Sequence, residues 1–138
     1  MTGGLLVDAG PLVALFSSRD RHHARCVDVL GGLRGRLCTT WAPVTEAMYL
    51  LDFSPPAQAG LLQMIEREVL QVLPLGAADM PPIRQLMAKY GDLPMDFADA
   101  TLVRIADREG FSVVFTLDRR DFAVYRRSNG TPFRVLPD

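Results

Sequence analysis

The order of apolar runs along this chain predicts an α/β fold: a three-layer α/β/α domain around a central, mainly parallel sheet of about five strands. Two observations carry that prediction. Short β-type runs alternate with proline-led or glycine-stopped helical stretches along the whole sequence. The acidic residues fall where strand runs end or helix runs begin, and one edge of a parallel sheet would gather such positions together.

Taken in order, GLLVD (4–8) is an apolar run ending at Asp8, and GPLVALF follows with Pro11 placed as a first helical residue. RHHARCVDVLGG reads as a helix stopped by Gly31 and Gly32. GRLCTT (35–40) is the second strand, and APVTEAMYLLDF is a helix with Pro43 and Glu46 in its first turn. PPAQAGLLQMIERE is another proline-led helix, VLQVLPL (69–75) the third strand, and AADMPPIRQLMAKYGD a helix closed near Gly91. PMDFADATL opens the last long helix, where Ala98, Leu102, Ile105 and Ala106 recur at helical spacing and Gly110 supplies the stop. FSVVFTLD (111–118) is the fourth strand, ending at Asp118. RRDFAVYRRSNG is a short helix and turn, and PFRVLP a terminal strand.

A length of 138 residues fits a single domain, 1–138, with room for a real core. Fifteen basic against sixteen acidic side chains leave a net charge of −1, so the chain has no global basic field of the kind that coats nucleic acid. That balance does not weigh against an enzyme that recruits its own metal ions. MTGGLLVDAG lacks a positive leader region, and no run of apolar residues is long enough to span a membrane. Cys26 and Cys38 stand alone, which fits reduced thiols and a cytoplasmic setting. With His22 and His23 they match no common zinc spacing.

On this layout Asp8 and Asp118 close strands, Glu46 follows the second strand, and Asp96 and Asp99 open the helix feeding the fourth. Residues three apart on a helix lie roughly 60° apart around its axis, so Asp96 and Asp99 can address the same edge. Helix-terminus complementation, worth about 0.3–1 kcal/mol, is the competing account and suits Asp96 best. Two carboxylates about 4 Å apart repel by roughly 4 kcal/mol at an effective dielectric of 20. Four such groups would rival a domain's stability of about 5–15 kcal/mol, and a divalent cation relieves that repulsion better than protons do. An all-oxygen set without His or Cys suits Mg²⁺ or Mn²⁺ rather than zinc.

LLVDAGPLVALF, the Glu46 helix, FADATLVRIA and FTLDRRDF resemble, in order and spacing, the motifs of PIN domains. Within these the chain is similar to the small single-domain VapC-type toxins of bacterial toxin–antitoxin pairs, and the resemblance covers nearly its whole length. It implies a Mg²⁺- or Mn²⁺-dependent endoribonuclease with an RNA substrate, a cognate antitoxin protein as partner, and a homodimer. By it Asp8, Glu46, Asp99 and Asp118 match the four acids of the metal site. Asp8, Asp99 and Asp118 are expected as ligands, and Glu46 as ligand to a second ion or as general base. Asp96 is an auxiliary ligand or support, and Asp121 a less regular position. Many relatives carry Ser or Thr just after the first aspartate, where this chain has Ala9 and Gly10, although Thr116 of TLD is retained and is assigned to substrate. A non-catalytic PIN-like module binding RNA or protein is the alternative, and retention of all four acids argues against it.

Arg119, Arg120, Arg126, Arg127 and Arg134 gather beyond Asp118 and are expected to hold phosphates, with Tyr125 free to stack on an unpaired base or packed inward with Phe122. Trp41 is expected in the core rather than in the cleft. His22 and His23 are expected at a surface helix start. Met48, Tyr49, Leu50 and Leu51, with AGLLQMIEREVLQVL, exceed one amphipathic face and suit a dimer surface or a groove for an antitoxin helix.

Overall fold

Residues 4–93 and 95–138 are described by the computed structural model; residues 1–3 and Pro94, the first residue of PMDFADATL, lie outside them. The elements run β1 (Leu5–Val7), α1 (Ala9–Phe16), α2 (His23–Gly32), β2 (Leu37–Thr39), α3 (Trp41–Leu50), α4 (Pro55–Glu66), β3 (Leu70–Val72), α5 (Met80–Lys89), α6 (Phe97–Glu109), β4 (Val113–Phe115), α7 (Arg119–Val124) and β5 (Arg134–Leu136), with a 3₁₀ turn at Ala77–Asp79 before α5. The five strands form one sheet in the order β3-β2-β1-β4-β5, and every neighbouring pair is parallel.

Alternation within these short strands separates two cores. Leu6, Cys38 and Val114 face one side, where Ile83 of α5, Leu102 and Ile105 of α6, and Phe122 of α7 cover them. Leu5, Val7, Leu37 and Phe115 face the other, under Leu12 of α1, Cys26 of α2, Ala47 of α3 and Leu61 of α4. Both faces are thus buried, as a parallel sheet requires, and a one-residue slip would exchange the two sets. The predicted three-layer architecture is the observed one. Cys26 and Cys38 are free thiols in opposite cores, so no shared metal site is open to them. Among the described residues no helix is long and apolar enough to cross a membrane.

The strand order fixes where a site can form. The chain steps from β1 outward to β2 and β3, then returns to place β4 on the other side of β1. Connections therefore diverge between β1 and β4, which opens a crevice at their carboxyl ends.

Two helices start one residue before the runs assigned to them. Asp8 is the N-cap of α1 and Thr40 that of α3, so Pro11 is the third rather than the first helical residue, while Pro43, also third, lies in the first turn as expected. A proline is tolerated there because the first N–H groups of a helix have no intrahelical acceptor. Glu46 consequently sits in the second turn of α3, not the first. The earlier start also explains Trp41, which is 57% exposed instead of in the core. As the first residue of α3, two beyond the end of β2, it stands past the layer that the sheet and helices cover. Leu51, expected on an interaction surface, is buried.

The α6 helix is the central support. Leu102, Val103, Ile105 and Ala106 have no exposed surface. Asp96 caps its start, accepting the Asp99 N–H at 2.8 Å, and Gly110 ends it in the left-handed region at φ 82°.

Candidate metal centre

Asp8 and Asp118 stand on adjacent parallel strands, one residue beyond β1 and three beyond β4. Asp8 extends the ladder by donating its N–H to the Phe115 carbonyl at 2.9 Å. Its carboxylate is held at both oxygens: Oδ1 accepts the Ala9 N–H and Oδ2 the Thr116 hydroxyl, each at 2.8 Å. The same Thr116 hydroxyl oxygen accepts the Asp118 N–H at 2.9 Å. Thr116 thereby ties the two strand-end aspartates together from beneath. From the other side, the tip of α6 brings in Asp99, whose Oδ2 accepts the Tyr125 hydroxyl at 3.0 Å. A 2.7 Å hydrogen bond between the buried hydroxyls of Thr40 and Thr101 holds the start of α3 to α6, and α3 carries Glu46 to the same place.

Asp8, Glu46, Asp96, Asp99 and Asp118 line a single cleft of ≈ 270 Å³, walled by Gly10 and Leu117. The tightest oxygens belong to Asp99, Asp118 and Asp121, one from each lying within 4.8 Å of the others. Among the described residues, no salt bridge reaches any of these six acids.

The consequence is electrostatic. Burial pushes the Asp99 carboxyl up to about 8, reinforced by the charges of Asp8 and Asp96 and only partly offset by the Tyr125 hydroxyl. Burial followed by the hydrogen bond and charge of Asp121 raises Asp118 to about 6. Asp8 is raised by burial, against the opposing pull of the Ala9 and Thr116 hydrogen bonds. Glu46, exposed at the rim, is raised by partial desolvation and then by Asp8 and Asp96. Such a set of hard oxygen donors, short of positive charge and fixed by neighbours that donate hydrogen bonds, fits a divalent cation of the Mg²⁺ or Mn²⁺ kind.

Other expected residues land elsewhere. Thr116, assigned to substrate, is fully buried with its hydroxyl engaged on both sides, so it positions Asp8 instead of facing the cleft. Tyr125, considered for base stacking, is also fully buried; its ring packs edge-on against Tyr90 and Phe122, and its hydroxyl serves Asp99. Burial and the Asp99 charge hold the phenol protonated, so it stays a donor. Arg119 donates to the Pro137 carbonyl near the carboxyl end, while Arg120 is exposed. Arg126 donates to the carbonyls of Ala123, Val124 and Tyr125, and Arg134 forms a loose 3.7 Å pair with Asp138. His22 occupies the N-cap position of α2 without a side-chain capping bond, and the Nδ1 of His23 bonds the Ala14 carbonyl at 2.7 Å; both lie at a helix start as expected. The absent hydroxyl after Asp8 has a steric counterpart: a side chain at Gly10 would meet the Leu117 Cβ at 3.3 Å.

Asp121 and Tyr125 are the contributors that the sequence reading underweighted. Asp118, Asp121, Phe122 and Tyr125 are spaced i, i+3, i+4, i+7, one face of the short α7 and its cap turned toward the α6 tip.

The PIN-domain family model matches residues 5–127. Ribonuclease VapC26 of Mycobacterium tuberculosis is 27% identical over 135 residues, covering 96% of this chain and all of the relative. Among solved structures, VapC20 of Mycobacterium tuberculosis, described as a Sarcin-Ricin loop cleaving toxin, superposes with a TM-score of 0.76 at 16% identity, over 83% of this chain and 90% of its own. VapBC2 from Rickettsia felis, bound to a DNA fragment from their promoter, superposes with a TM-score of 0.64 at 10% identity over 96% of both chains.

Proposed function

Because the chain belongs to the PIN-domain family, we propose that it is a metal-dependent endoribonuclease and the toxin of a toxin–antitoxin pair. One observation carries the reading: a cleft collects five carboxylates at the carboxyl edge of the sheet and, among the described residues, no salt bridge reaches them.

Asp8, Asp99 and Asp118 would hold Mg²⁺ or Mn²⁺, with Asp96 or Asp121 completing the oxygen set. When bound, such an ion polarises the scissile phosphate and makes a water nucleophilic near neutral pH. The chain's own residues do the positioning. Thr116 and the Ala9 N–H fix both oxygens of Asp8, and the Tyr125 hydroxyl engages Oδ2 of Asp99, leaving Oδ1 for the cleft. Glu46 stands at the rim with its affinity for protons raised, the property of a base that takes a proton from the attacking water or a ligand to a second ion. Attack by water leaves a 5′-phosphate and a 3′-hydroxyl.

RNA as substrate is supported by the ribonuclease and loop-cleaving toxin among the relatives, and a cognate antitoxin by the VapBC likeness. We assign a single domain to 1–138, a cytoplasmic setting and a homodimer. The exposed Tyr49, Leu50, Phe53 and Leu62 on and between α3 and α4 offer apolar surface for a second copy or for the antitoxin.

The test is cleavage of cellular RNA by the purified protein with Mg²⁺ or Mn²⁺. Expected are discrete products with 5′-phosphate ends, abolished by chelator and restored by added metal. A folded, metal-supplied protein that leaves every transcript intact would overturn the proposal.

A further inference from the structure

A second concavity lies away from the acids, between α5, α6 and the turn after α7, with a volume of ≈ 340 Å³. Lys89, Arg104, Arg126 and Arg127 line it, against the single carboxylate of Asp107. In a chain of net charge −1 this concentration is local, and a concave wall focuses its field.

The turn is built to hold Arg127 there. Asp107 Oδ1 accepts the Ser128 N–H at 2.7 Å, which pins the turn to α6 and engages one oxygen of the one acid that lines the pocket among the described residues. Arg127 donates its N–H to the Thr131 carbonyl at 3.0 Å, and Gly130, at φ 84°, returns its N–H to the Arg127 carbonyl at 2.8 Å. Of the four cations, Arg104 is partly committed to Asp79, and Arg126 to the carbonyls at the end of α7 and of its cap Tyr125. Lys89 is exposed and lies over the Tyr90 ring at 5.2 Å. The Arg127 Nε is different: among the described residues it is the one buried side-chain nitrogen or oxygen with no hydrogen-bond partner. Buried donors in folded proteins are almost always paired, and here, among the described residues, no acceptor holds the Arg127 guanidinium that lines the pocket, which leaves it uncommitted for a ligand.

We propose that this pocket binds a phosphodiester group of the RNA strand away from the scissile bond, with Arg127 as the directional donor and Lys89 as the supporting charge. A guanidinium fork matches two phosphate oxygens, and an ammonium adds a point charge without demanding geometry. The placement suits a strand. Asp99 at the tip of α6 and Arg104 and Asp107 further along it are separated by about 8–12 Å of helix axis, a reach of a few nucleotides. The proposal rests on RNA being the substrate, and its test is read in binding so that it can fail separately from the catalytic reading.

The experiment measures affinity for a labelled single-stranded RNA in chelator, where cleavage is off, from about 50 to 200 mM salt. Arg127→Gln is expected to weaken binding and to lower the slope of log affinity against log salt by about 0.7, the loss of one phosphate contact on a single strand. Lys89→Gln, at an exposed position, should act in the same direction and serves if the first variant misfolds. Arg127→Lys should retain most of the slope. Wild-type affinity and slope in both glutamine variants would overturn the proposal. So would intact RNA binding alongside lost binding to the partner protein, which would make the pocket protein-facing. Thermal stabilisation by inorganic phosphate, lost in Arg127→Gln and unaccompanied by any RNA affinity, would place free phosphate there and also overturn the strand assignment. A wild type that binds RNA with the expected slope but never cleaves it would sink the nuclease reading and leave this one supported.

Discussion

Asp79 and Asp99 are buried to nearly the same degree, 5% and 6% exposed, yet their carboxyls behave in opposite ways. Asp79 accepts the Gly76 N–H at 2.9 Å, Arg104 Nε at 2.8 Å and Arg108 Nη1 at 3.1 Å. The Gly76 and Arg104 hydrogen bonds hold it below the ordinary carboxylate range. Asp99 has one neutral donor, Tyr125, and three acids around it, and is pushed up to about 8. Burial alone therefore does not set the protonation of a carboxylate; its company does. Asp79 has its counter-charges within the chain and secures the start of α5 to α6. Among the described residues the cleft acids form no such pairs, which is the property expected of a site that takes its positive charge from a bound cation.

The largest expected effect separates the two residues by function. Asp99→Asn should reduce metal-dependent RNA cleavage by at least about a hundred-fold, because loss of a direct ligand should exceed the 10–100-fold typical of an outer hydrogen-bond partner. In chelator near neutral pH it should be at least as stable as wild type, because a neutral Asn is spared the proton uptake that folding demands of Asp99 there. Undiminished cleavage by the folded variant would remove Asp99 from the metal site. Asp79→Ala should do the reverse in denaturant titration, lowering stability by about 1.5–3 kcal/mol through lost charged hydrogen bonds. The figure lies below that for a fully buried pair because Arg104 and Arg108 keep 24% and 27% of their side chains in water. An unchanged denaturation midpoint would show that the two carboxylates do not differ in the way their partners imply.

A smaller effect sharpens the contrast from the donor side. Tyr125→Phe deletes the one hydrogen bond that, among the described residues, favours ionised Asp99. Affinity for Mn²⁺, measured by calorimetry, should fall by about 10–100-fold with the fold retained. Equal affinity in the phenylalanine variant would reduce Tyr125 to a packing residue.

The strand-end and helix-tip acids were legible in the sequence because local signals and topology agree there. An apolar run that stops at Asp8, another that stops at Asp118, and a proline-led helix carrying Glu46 each state their own place. The sheet order that brings Asp8 and Asp118 side by side was not readable from any one segment, although alternating strands and helices already implied one shared edge. What escaped depended on tertiary contact. Thr116 looked available because a hydroxyl beside a strand end carries no mark of burial. Tyr125 looked equally suited to stacking or to packing until the α6 tip was seen beneath its hydroxyl. Asp79 drew no notice at all, since its partners lie 25 and 29 residues away on another helix. Trp41 was misplaced at a boundary: it is the first residue of α3, one before the run read as helix, and stands exposed there.

The smallest effect is the most direct measure of the missing charge, and it lies in the pH dependence of stability. Asp99 and Asp118 carry folded values of about 8 and about 6, above an ordinary value of 3.8. Over that window the folded state binds more protons than the unfolded chain, so stability in chelator should fall as pH rises from about 5 to about 8.5. Asp79 works in the other direction: its contribution is present above the ordinary carboxylate value and disappears only as pH drops through its lowered one. The two regions therefore predict opposite slopes in separate pH ranges, and only the cleft acts in the neutral one. Melting in chelator should drop by at least about 2–6 °C across it, the shift that roughly 1 kcal/mol produces in a domain of this size. Asp99→Asn should flatten the upper half of that fall and leave the part due to Asp118. Added Mn²⁺ should raise melting more at the alkaline end than at the acid end, where a cation must first displace protons. Melting that instead rises with pH in chelator would mean the cleft acids already have positive partners, and the distinction between Asp79 and Asp99 would collapse.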